Sequence, residues 1–113
     1  MSTPADRLKL VLSTYQAALA RRPADLRLAK TPEDARAVMA NVDALEAKYL
    51  EAAEAALNAN GPDIEAAYQA AKQASDAVEK AYAQGQQLAA RIKAVAGVVT
   101  ALGTLITKAS AAV

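Results

Sequence analysis

The stretch PDIEAAYQAAKQASDAVEKAYAQGQQLAARIKAVAGVVTALGTLITKASAAV, residues 62–113, decides how this chain folds. It has no proline after Pro62, and beyond Arg91 its only charges are Lys93 and Lys108. Gly85 is the one candidate break before Gly97 and Gly103. A lone glycine costs roughly 1 kcal/mol inside a helix and does not by itself stop one. The reading is therefore a continuous helix over about 62–110, roughly 70 Å long. A break near Gly85, giving a four-helix bundle, is the alternative.

Upstream, two segments announce helices by the same device. TPAD (3–6) and TPED (31–34) each place Thr as N-cap, Pro at the first helical position and Asp three residues after the cap. Hydroxyl and carboxylate satisfy free N–H groups, and the negative charge suits the helix dipole. The first helix is expected over about 4–22, ended by Pro23. A connector follows over 23–31, and a second helix runs over about 32–58. NANGPDIE (58–65) supplies the stop and restart before the third.

Composition agrees with this reading. The 113 residues are 54% apolar, but alanine dominates that share, and Phe, Trp, Cys and His are absent. Helix formers are abundant, so the fold class is all-α, one helical domain over 1–113. A Leu or Val gains ~1.5–3 kcal/mol on burial and an alanine much less, so the core is thin and its helices must approach closely. Without Cys or His there is no disulfide framework, thiol chemistry or Cys/His metal site. MSTPADRLKLVL lacks the cationic start and apolar run of a secretory signal, which predicts a cytoplasmic protein, with signal-less export left open.

On the second helix Ala35, Val38, Val42, Leu45, Tyr49, Ala52 and Ala56 recur at spacings of three and four. Ile64, Tyr68, Ala71, Ser75, Val78, Tyr82 and Gly85 do the same on the third. Folded at Asn60, the two seams meet in an antiparallel hairpin, large residues against small. The third helix then outruns the second by nearly its whole last stretch. Its overhang needs cover on two sides, one from Leu8, Leu12, Tyr15 and Leu19 of the first helix, with helices 1 and 2 laid end to end along it. Val95, Val98, Leu102, Leu105 and Ile106 are the candidate protein interface that remains.

That reading predicts a non-enzymatic interaction or assembly module that self-associates or docks a protein partner through its C-terminal helix. Residues 92–113 also permit a second function, peripheral membrane binding or insertion. The fourteen uncharged residues between Lys93 and Lys108 span ~21 Å against ~30 Å of hydrocarbon, and three threonines interrupt them. Arg21, Arg22, Arg27, Lys30 and Arg36 around the first connector form a candidate anion contact. They lack interleaved aromatics on a chain of net charge +1, so nucleic acid is not an expected partner. Catalysis has only Asp, Glu, Lys and Tyr to draw on, and the acids of the second helix avoid its seam. No catalytic residue, metal site or cofactor is expected, and no phosphate loop is present.

Overall fold

A computed structural model describes residues 1–110. It contains four helices, α1 (Pro4–Leu28), α2 (Pro32–Ala55), α3 (Pro62–Ala83) and α4 (Leu88–Ser110), in a body of 46 × 25 × 18 Å. The all-α class holds, and the four-helix alternative replaces the long third helix.

The helix stops at Gly85. Gly85 takes a left-handed φ of 63°, Gln86 N–H donates to the Ala81 carbonyl at 3.0 Å, and Gly85 N–H donates to Tyr82 at 3.1 Å. This pairing closes a helix end on a glycine with no side chain to clash. Local propensity is against a stop here; tertiary burial decides it. Folding back buries Val95, Val98, Leu102, Leu105 and Ile106 against the rest of the chain. Five such side chains contribute roughly 10 kcal/mol, far above the cost of one turn.

Pro23 does not end α1, contrary to expectation; the helix runs on to Leu28. Pro23 cannot donate to the Leu19 carbonyl, but both residues are exposed, so the unpaired carbonyl lies on the wet side. The extension brings Asp25 into the protein interior. At the N-termini the expected caps are present. Thr3 and Asp6 form a reciprocal capping box, Thr31 accepts from Asp34 N–H at 3.1 Å, and Pro4, Pro32 and Pro62 occupy first turns.

The topology departs from the expected α2/α3 hairpin. Helices α1 and α2 pair antiparallel side by side, not end to end, and α3 pairs antiparallel with α4. The two hairpins then pack mainly through α2 against α4, which run parallel: Asn41 donates to the Ile92 carbonyl, and Ala59 N–H to the Ala109 carbonyl. Consecutive α2 and α3 do not pack against one another. Their seams, including Val38, Val42, Leu45, Ile64, Ala71 and Val78, are buried from opposite corners of one core rather than meeting as neighbours. Likewise Leu8 and Tyr15 serve the α1–α2 seam, where Tyr15 stacks on Tyr49 with centroids 6.2 Å apart.

The crossover between hairpins, residues 56–61, runs diagonally beneath the bundle. Ala56 and Leu57 both have positive φ, 66° and 48°, so α2 ends three residues earlier than its sequence suggests. Leu57 and Ala59 are buried. Beneath them lies Arg7, fully enclosed. Its five N–H donors are all used: Nε on Ser2 Oγ, Nη1 on the Leu57 and Ala59 carbonyls at 2.8 and 2.6 Å, and Nη2 on the Ser2 carbonyl and Asn60 Oδ1. Ser2 hydroxyl passes the charge on, donating to Glu65 at 2.8 Å. The cation sits at the carbonyl end of α2, where the helix dipole favours it.

Candidate interaction surface

The five residues expected to form the interface lie in the core. Val98, Leu102 and Leu105 are wholly inaccessible, and Val95 and Ile106 nearly so. Spacings of three and four mark a helix face that needs cover and are silent on whether the cover is internal. What α4 shows to water is Ala89, Ala90, Lys93, Ala96, Gly97, Thr100, Thr104, Thr107 and Lys108. An open groove of about 420 Å³ runs beside it, with the Lys48 stem lying across Gly103. The last residues of the candidate membrane segment, 111–113, lie outside the described residues.

The candidate anion contact is not assembled as one site. Arg21 is engaged by Glu79 at 2.7 Å and by the Tyr82 ring, 4.2 Å from its centroid. Arg22 is half-buried, and Arg27, Lys30 and Arg36 are exposed. Lys30 alone of the group lines an open groove of about 540 Å³ at the α3–α4 turn, together with Arg91 and Asp34.

A charged cluster that the sequence did not reveal sits above Arg21. Asp25, buried near the end of α1, accepts a hydrogen bond from the Tyr82 hydroxyl and pairs with Arg91 Nη1 at 3.5 Å. Arg91 also lies over the Tyr82 ring, opposite in sequence to Arg21 but on the same aromatic. Burial pushes the Tyr82 hydroxyl well above its ordinary 10.0, and the bond to Asp25 adds to this by favouring the protonated phenol. A cavity of about 20 Å³, the size of a single water, adjoins Asp25, Asn41 and Tyr82. The cluster ties α1, α3 and α4 at one end of the bundle. Among the described residues no group of three acidic side chains converges to hold a metal ion.

Among the described residues, the large apolar side chains left in water are Met1, ahead of α1, and four of the first hairpin. Leu19 is 36% exposed, Met39 38% and Leu50 55%, and Leu28 is exposed near the hairpin turn. Three of these share one flank. Tyr15 donates to Glu46 at 2.9 Å, which identifies the sides of α1 and α2 that face each other. Leu12 and Leu19 continue the Tyr15 line at spacings of three and four, while Met39 and Leu50 stand seven before and four after Glu46. Antiparallel pairing brings half-buried Leu12 level with Leu50, and Leu19 between Leu50 and Met39. For Leu12 and Leu19 the signal was present in the sequence, but they read there as cover for the last helix.

Comparison of the chain with protein-family models, with curated proteins and with solved structures finds no match.

Proposed function

We infer that this protein is a non-enzymatic helical module that works by association, and that the outer flank of the α1/α2 hairpin is its contact surface. The observation that carries the reading is the exposed line Leu19, Met39 and Leu50 beside Leu12, on a domain whose other large apolar side chains are mostly enclosed. Lone exposed apolar residues are ordinary; three on one flank of one hairpin, with half-buried Leu12 beside them, are a surface. Charges beside it carry both signs, Arg22 with Asp43 and Glu46, all close enough to act on Tyr15. Mixed signs suit a protein partner, including a second copy, better than a polyanion.

The test is sedimentation of the native chain against Leu19→Ser/Met39→Ser/Leu50→Ser. Native material is expected to exceed the 11.7 kDa monomer as concentration rises, and the triple variant to stay monomeric with unchanged helical content. Native protein that remains monomeric at high micromolar concentration refutes self-association through this flank.

A competing reading uses lipid. Among the described residues α4 is the one helix long and apolar enough to cross a membrane by length and composition. Inserting it requires Val98, Leu102 and Leu105 to leave the core. Flotation with anionic and neutral vesicles decides this: vesicle binding favours the lipid reading, and protein left at the bottom of the gradient removes it.

A further inference from the structure

We propose that two copies of this chain exchange hairpins, α1/α2 of one packing on α3/α4 of the other, with residues 56–61 as the hinge. This goes beyond the surface contact above and does not depend on it.

Every helix-to-helix interface is either within a hairpin, α1 with α2 and α3 with α4, or between hairpins, α2 with α4 and α1 with α3 and α4. Interfaces of the first kind survive opening of the crossover. Those of the second kind are met equally well by the partner's hairpin, because the same residues meet in the same geometry. Since α2 and α3 share no packed face, straightening the crossover separates no helix pair that exchange fails to restore. The hinge itself favours opening. Ala56 and Leu57 hold left-handed conformations disfavoured for residues with a Cβ, and an extended hinge releases them.

Relative to the exchanged dimer, only the contacts to the crossover are peculiar to the closed monomer. Arg7 grips its Leu57 and Ala59 carbonyls and Asn60 side chain, and Ala59 N–H holds the Ala109 carbonyl. Arg7 is thus a latch on a strained hinge. Across the mouth between α1 and α3 the ties are few and polar: Ser2 with Glu65, Thr14 with Ser75 at 3.4 Å, and Arg21 with Glu79. Exchange is second order in protein, so it is favoured by refolding at high concentration.

The chain has no cysteine, so an introduced pair reports cleanly. Thr14→Cys/Ser75→Cys joins the two hairpins where their hydroxyls already touch. The variant is refolded at micromolar and at millimolar concentration, oxidised, separated by size and run on a non-reducing denaturing gel. The expected result is a covalent dimer in the dimeric fraction, rising with refolding concentration, and an internally bridged monomer elsewhere. A dimer fraction that dissolves into bridged monomers overturns exchange and leaves surface contact standing; absence of any dimer overturns both. Two variants test the hinge in an otherwise unchanged chain. Ala56→Gly relaxes the closed crossover and is expected to lower the association constant about thirtyfold, roughly fivefold for each of the two chains that must open. Arg7→Lys weakens the latch and is expected to raise it. An Ala56→Gly association constant that stays level or climbs overturns the strained-hinge argument.

Discussion

Replacing Arg7 by methionine removes a guanidinium with no solvent exposure and strands five acceptors, three of them backbone carbonyls at the crossover and Ser2. Each hydrogen bond from a charged donor contributes about 1.5–3 kcal/mol net. The sum is not realised in full. Removing the cation recovers its desolvation cost, and some of the carbonyls regain water as the crossover loosens. A net loss of about 3–5 kcal/mol is expected, the range for deleting one partner of a buried polar network. Against the roughly 5–15 kcal/mol that stabilises a domain of this size, this is a large fraction. Urea denaturation followed by far-ultraviolet circular dichroism should show the midpoint falling by about 2 M. Arg7→Lys, which keeps the charge and offers three donors, should fall between. Arg36→Met, at an exposed position, should change stability by under ~0.5 kcal/mol. A loss for Arg7→Met below about 1 kcal/mol would refute the latch, since the crossover would then hold without it.

Leu102→Ala, in the middle of the buried face of α4, is expected to cost about 2–5 kcal/mol in the same assay, whereas Leu50→Ala on the outer flank should be nearly neutral. Gly85→Ala meets no atom within 4 Å but must hold a left-handed φ of 63°, so a loss of about 1 kcal/mol is expected from backbone strain alone. Glu65 is held below its ordinary 4.5 by hydrogen bonds from the Ser2 N–H and hydroxyl. Its contribution is full above that value and declines as pH falls through the lowered one, so Glu65→Gln should flatten the acid limb of stability against pH. Tyr82 and Tyr15 are shifted upward instead. Their contribution is present below pH 10 and is lost as pH rises, so absorbance titration should show some of the four tyrosines ionising late, Tyr82 only as the fold opens.

Residues such as Thr3, Asp6 and Thr31 made the helix starts legible in the sequence, because a cap acts on N–H groups within three residues of itself. The buried faces were legible too: Val38, Val42, Leu45, Val78, Val98 and Leu102 stand at helical spacing and are all in the core. Spacing identifies the side of a helix that must be covered, and here it did so correctly for α4. It does not identify the neighbour. Gly85 and Pro23 show the same limit in opposite directions. One weak breaker stopped a helix and one strong breaker did not, because burial of α4 outweighed the propensity to continue, and because the carbonyl that Pro23 leaves unpaired faces water.

From the chain alone come the helical class, the starts of α1 to α3, and the set of side chains that must avoid water, since all of these are settled by groups close together in sequence. The tertiary structure alone decided that the chain turns at Gly85, that α2 pairs with α4 across the bundle, and that Arg7 lies enclosed beneath the crossover. These depend on contacts between residues some fifty positions apart, Arg7 with Leu57 and Asn41 with Ile92 among them. Spacing alone allows several pairings of the same apolar stripes, so only the assembled set of helices, with all the Arg7 donors engaged at the crossover and Ser2, selects one.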